Sequence, residues 1–65
     1  MPIAHIHILE GRDRSQKKKL IEEVTKAISS SLQSERGKIK VLLHEVSEDN
    51  WATAGVTKRE EKIVD

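Results

Sequence analysis

From Ile3 to Leu9 apolar residues recur on both sides of an extended chain, with Ala4, Ile6 and Ile8 on one side and Ile3, His5, His7 and Leu9 on the other. This pattern predicts a strand. Gly11 interrupts it, and Asp13 followed three positions later by Gln16 matches a capping box, in which the carboxylate accepts from free amides of a first helical turn. Leu20, Ile21, Val24, Ala27, Ile28 and Leu32 then draw one apolar stripe along a helix. Lys17, Lys18, Lys19, Glu22, Glu23 and Lys26 fill the opposite side, where Lys18 with Glu22 and Lys19 with Glu23 are spaced to pair. The helical signal fades after Ser29, Ser30 and Ser31, and the polar stretch from Gln33 to Lys38 reads as a return loop.

Ile39 to Val46 is mostly apolar and forms the second predicted strand. A long helix between two strands implies a parallel, right-handed crossover, so the predicted fold is α+β, a β-α-β subunit. Ser47 to Val56, with Asn50, Trp51 and Gly55, is rich in turn formers and suits a short turn or hairpin. Thr57 to Asp65 is polar and compatible with a short strand, a helix or no regular structure. Two strands and one helix leave sheet edges unpaired and one sheet face bare, so the subunit is expected to complete its core with copies of itself.

Chain length strengthens that expectation. With 65 residues the sequence is read as a single domain, residues 1–65, with little interior to offset conformational entropy. Small folds recruit disulfides, metals or further subunits, and the absence of cysteine closes the first route and excludes thiolate metal sites. Twelve Lys and Arg against eleven Asp and Glu nearly cancel, so the run Lys17–Lys19, followed by Glu22 and Glu23, is no nucleic-acid signature. No apolar run approaches the roughly 20 residues of a membrane span, and the N-terminus does not resemble a signal peptide, so a cytoplasmic protein is expected. His5 and His7 share one strand face, but no carboxylate motif joins them to complete a closed metal site. No metal site is expected.

Pro2 changes the picture most. Alone, a proline here starts a strand. If Met1 is removed, Pro2 becomes a terminal secondary amine, and an α-amino group titrates near pKa ~8 before a nearby cation or desolvation lowers it. Such a group is a base at neutral pH. Pro2 leading into a strand, LEGR at Leu9 to Arg12, an amphipathic helix, IKV at Ile39 to Val41 and NWATAG at Asn50 to Gly55 together resemble the 4-oxalocrotonate tautomerase family in order and spacing. The resemblance covers nearly the whole chain.

The resemblance implies β-α-β subunits paired into dimers with a four-stranded sheet, assembled as a homohexamer (a trimer of dimers) with shared active sites. It implies an isomerase in which the N-terminal proline moves a proton on an enol or unsaturated 2-oxo acid, with no metal or cofactor. Pro2, Arg12 and Lys40 are then the catalytic residues, and Leu9, Arg12, Lys40 and Trp51 contact a small-molecule carboxylate substrate. Arg12 suits a carboxylate through its planar fork. Lys40 stands where the family has a second arginine and keeps the charge without the bidentate geometry. Arg36 and Lys38 lie close to it in sequence. Trp51, the only aromatic residue, falls where the family has an apolar wall, and as an isolated residue it equally suits a subunit interface. Ala52 and Ala54 replace glycines the family tends to carry.

Two alternatives share this pattern: a related dehalogenase or hydratase in which Pro2 is protonated and activates water addition, and a non-catalytic oligomeric binding module. Geometry adds one constraint to all of them. Seven strand residues span roughly 23 Å, so Pro2 and Arg12 of one chain are too far apart to share a small substrate, and a neighbouring subunit is expected to supply one of them.

Overall fold

The computed structural model describes residues 1–63. Asp13 opens the helix as its position predicts: its Oδ1 accepts from the Gln16 backbone N–H at 2.8 Å and from Ser15 Oγ at 2.9 Å. Helix α1 runs from Arg14 to Leu32 and ends at Gln33, which takes the left-handed conformation with φ 54°. The Gln33 N–H returns to the Ser29 carbonyl, satisfying an acceptor that the helix end leaves free. A single 3₁₀ turn, Arg36–Lys38, then closes the crossover.

Strands β1 (Ile3–Leu9) and β2 (Lys40–Val46) pair in parallel, with Ile3 opposite Lys40 and Leu9 opposite Val46. Laterally paired residues share a face, so Ala4, Ile6 and Ile8 join Val41, Leu43 and Glu45 on the side covered by α1. The Lys17 ammonium reaches Glu45 across that layer at 3.0 Å. Leu20, Ile21, Val24 and Ile28 are half-buried as the stripe predicts, whereas Ala27 and Leu32 are exposed, Leu32 at 64%. Among the described residues the Lys18–Glu22 and Lys19–Glu23 pairs do not form; Lys26 meets Glu23 at 3.7 Å, and Lys17 is drawn to the sheet.

Beyond β2 a 3₁₀ turn, Glu48–Asn50, leads to Trp51 and a hairpin of β3 (Ala52–Thr53) and β4 (Val56–Thr57). Its two loop residues, Ala54 and Gly55, have φ of 54° and 81°, the left-handed pair that a tight hairpin of matching twist requires. The polar tail resolves into β4 and a short helix α2 (Lys58–Ile63). The expectation for residues 64–65 lies outside the described residues.

Three quantities show that the chain is extended and encloses little interior. The radius of gyration is 15.3 Å, against about 11 Å for a compact chain of this length. The accessible surface is 5245 Å², against about 4,200 Å² for a compact monomer of 7.4 kDa. Among the described residues Ile39 alone is buried, with 9% exposure. The molecule is 47 × 25 × 14 Å, and the arm from Glu48 onward packs chiefly on itself.

Candidate active site

The parallel pair brings two of the predicted site residues together. Lys40 N–H donates to the Pro2 carbonyl at 3.0 Å, extending the ladder by one rung, and Ile3 is the register partner of Lys40. Pro2 is half-buried at this end of the sheet, while the Lys40 side chain is exposed on the face that carries Ile3. With Met1 attached, the Pro2 nitrogen is a tertiary amide without basicity. Met1 itself is 85% exposed, so its removal takes nothing from the core.

The remaining candidates lie toward the opposite end. Leu9 closes β1 opposite Val46, and Glu10 N–H donates to the Val46 carbonyl at 3.0 Å before the chain leaves the sheet. Gly11, at φ 124°, makes the turn into Arg12, a conformation that a side chain would strain. Arg12 is exposed directly ahead of the helix cap, and among the described residues no carboxylate pairs with it or with Lys40. Trp51 is half-buried where the 3₁₀ turn meets the hairpin, and its carbonyl accepts from Lys58 N–H at 2.7 Å. A single chain therefore pairs Pro2 with Lys40 and leaves Leu9 and Arg12 a strand's length away, roughly 23 Å.

Trp51 sits on an arm braced by ion pairs. Arg59 binds Asp49, and Lys62 binds Glu48. The hydrogen bond and charge of Asp49 raise the Arg59 pKa. Glu60 accepts from the Thr57 N–H and from its hydroxyl, each at 2.9 Å, while the Glu60 N–H donates back to the hydroxyl, and these bonds lower the Glu60 pKa. At the base of α1, the Gln16 N–H and then Ser15 lower the Asp13 pKa in the same way.

Arg36 lines an open groove of about 410 Å³ with Ile21, Glu22, Glu23, Thr25 and Lys26, a groove that includes neither Pro2 nor Lys40. On the bare sheet face the structure reveals a cluster that the sequence disclosed only by half. His44 joins His5 and His7, with His5 Nδ1 and His44 Nε2 3.1 Å apart and the His44 ring stacked against both neighbours. Strand alternation places His5 and His7 on one face, but only the register across the crossover adds His44. Among the described residues no group of three or more histidine or acidic side chains is placed to hold a metal ion. Nor is any helix there long and apolar enough to cross a membrane.

A small β-α-β unit with Pro2 just ahead of its first strand, Lys40 on the adjoining rung of the second and a loop arginine past the far end of the first defines a class of short β-α-β chains. The family model described as "Tautomerase enzyme" matches residues 2–61, and the chain belongs to this family of isomerases. A 2-hydroxymuconate tautomerase of Comamonas testosteroni is 42% identical over 60 residues, covering 92% of this chain and 95% of that one. A 2-hydroxymuconate tautomerase of Pseudomonas putida is 46% identical over 55 residues, covering 85% and 87%. In structure, a heterohexamer 4-oxalocrotonate tautomerase from Chloroflexus aurantiacus superposes with a TM-score of 0.88 at 25% identity, covering 92% and 97%. The β-α-β fold and the isomerase class expected from the sequence both hold.

Proposed function

We propose that this protein is a cofactor-independent tautomerase of enols or unsaturated 2-oxo acids, 2-hydroxymuconate being the first substrate to test, and that Pro2 acts as its general base once Met1 is gone. The observation that supports this reading is Pro2 at the head of β1 with Lys40 as its backbone neighbour, in a chain 42% identical to a 2-hydroxymuconate tautomerase. The freed prolyl nitrogen takes a proton from a carbon or from the enol hydroxyl of the substrate, holds it as a secondary ammonium and returns it at a different carbon, so proton and charge balance over the cycle. A cation near that nitrogen favours its neutral form and keeps the base available at neutral pH.

Arg12 and Lys40 bind the carboxylates and the negative charge that develops on the dienolate. Leu9 and Trp51 close the pocket and exclude water, which strengthens those charge interactions. Because Pro2 and Arg12 of one chain lie too far apart, each site takes residues from more than one subunit. The excess surface of roughly 1,000 Å² per chain is about what one partner contributes to a standard interface. We assign the assembly as a homohexamer of cytoplasmic chains, each a single domain over residues 1–65, bound to neither nucleic acid nor membrane.

The test is turnover of 2-hydroxymuconate by protein whose intact mass lacks Met1, beside Pro2→Ala. Equal rates would remove Pro2 from the mechanism. Lys40, where the family has an arginine, favours a second reading, a binding module without catalysis. It gains ground only if the processed protein binds the dicarboxylate and does not turn it over. Activity that fails as pH rises rather than as it falls would instead mark Pro2 as an acid, the hydratase arrangement.

A further inference from the structure

Between the end of β1 and the start of α1 the chain is tied on both sides of Gly11 and Arg12. On the strand side, the Glu10 N–H donates to the Val46 carbonyl at 3.0 Å. On the helix side, the Asp13 carboxylate accepts from the Gln16 N–H at 2.8 Å and from the Ser15 hydroxyl at 2.9 Å. The Asp13 carbonyl in turn accepts from the Lys17 N–H at 3.2 Å. Lys17 then carries the helix start back to the sheet, its ammonium 3.0 Å from the carboxylate of Glu45, the residue before Val46. Both ends of the connection are therefore fastened to one short stretch of β2.

Packing does not hold the two residues in between. Gly11 has φ of 124°, and a Cβ at that position would meet no atom within 4 Å, so the turn is open on the side where a neighbour could press on it. Glycine also has the widest backbone freedom of any residue. Arg12 is exposed, and among the described residues no carboxylate pairs with it, so its guanidinium takes its direction from the backbone on either side. Of the two ties, the strand side precedes the glycine hinge, whereas Asp13 follows Arg12 directly. The cap is therefore the tie that acts on Arg12 without a hinge between them.

We propose that Asp13 is a positioning residue for substrate binding: its cap holds the Gly11–Arg12 connection in the arrangement that presents the Arg12 guanidinium to a substrate carboxylate. The inference rests on the role given to Arg12 in the proposed function and is independent of Pro2 as the base. Apparent affinity scales with the fraction of molecules already in the binding arrangement. Loss of an N-cap shifts a helix start by about fivefold in its equilibrium constant, so Asp13→Ala is expected to weaken carboxylate binding by up to about fivefold. Once substrate is bound the arrangement is restored. The loss therefore falls on KM and leaves kcat near that of wild type.

Two measurements on protein whose intact mass lacks Met1 test this: steady-state kinetics with 2-hydroxymuconate, and calorimetric binding of muconate, a dicarboxylate without the enol hydroxyl. Asp13→Ala is expected to raise KM and the muconate Kd about fivefold, and Asp13→Asn, which keeps the acceptor, to restore both. In an Arg12→Ala background the same substitution is expected to change neither, because two residues that act through one group are not additive. A purely structural role would lower kcat by the same factor in both backgrounds, and that result overturns the proposal, as does Asp13→Ala with the wild-type KM and Kd. Asp13→Gly, which loses the same bonds at less cost to the helix, takes its place if Asp13→Ala does not assemble. The paired readouts keep this inference apart from the catalytic reading. An inactive protein whose muconate affinity falls with Asp13→Ala leaves the positioning role standing and removes the catalysis, and an active one whose KM is unchanged does the reverse. A wild type that neither binds nor turns over the dicarboxylate overturns both.

Discussion

Mixing two defective variants tests whether each active site is built across a subunit boundary. Pro2→Ala replaces the secondary amine with a more flexible primary one and is expected to lower kcat about 10²-fold, at the low end of what a positioned base contributes. Arg12→Ala removes a charged hydrogen-bonding partner, and about 1.5–3 kcal/mol lost from substrate binding is roughly 10–100-fold in kcat/KM. Strand β1 separates the two positions within one chain by roughly 23 Å, and 2-hydroxymuconate is a fraction of that length. If a site takes Pro2 from one subunit and Arg12 from another, unfolding the two variants together and refolding them at equal concentration creates intact sites. Random assembly gives about a quarter of sites with both wild-type residues. Activity of the co-refolded mixture near a quarter of wild type, against the much lower sum of the separately refolded variants, is the expected result. If one chain supplies both residues, the mixture contains no intact site. An activity equal to that sum would refute the shared site, provided sedimentation shows mixed assemblies of wild-type size.

Further predictions address single positions. Lys40→Arg restores a planar fork and is expected to lower KM for a dicarboxylate about fivefold with little change in kcat, whereas Lys40→Met raises KM; steady-state kinetics read both. Ala54 holds a left-handed φ of 54° that costs an L-residue roughly 1–2 kcal/mol, so Ala54→Asn, giving the Asn-Gly pair favoured in such turns, is expected to raise stability by about 1 kcal/mol in urea unfolding. Trp51 is the only aromatic residue and is half-buried in one chain, so its fluorescence should shift to the red on dilution as subunits separate; an unchanged spectrum would place it away from interfaces. The Asp13 pKa is lowered in the folded chain, so the cap contributes fully above the ordinary carboxylate range and is lost as pH falls through the lowered value. The protection factor of the Gln16 amide, taken relative to its intrinsic exchange rate at each pH, should therefore fall in acid for wild type, and Asp13→Asn should remove that pH dependence.

Much of the subunit is legible in the sequence because its determinants are local. The alternation in Ile3–Leu9, the Asp13 cap and the stripe from Leu20 to Ile28 each depend on residues within a few positions, where backbone geometry converts spacing into direction. The order Pro2, LEGR, IKV and NWATAG carried the family for the same reason, since those segments follow each other at fixed spacings. What sequence left open was each feature that joins distant segments. The tail had three possible conformations, and the Ala54–Gly55 turn and the Thr57–Glu60 bonds selected a strand followed by a helix. Lys18 and Lys19 had Glu22 and Glu23 at helical spacing and do not pair with them, whereas tertiary packing joins Lys17 to Glu45, which no local spacing announced. His44 met His5 and His7 only through the register of β1 on β2, a single choice among several that a long crossover permits. The elements of the chain, the faces their residues share and the length of strand between Pro2 and Arg12 were thus determined by short-range periodicity, while the histidine ladder and the Pro2–Lys40 pair were decided by how the two strands align in space.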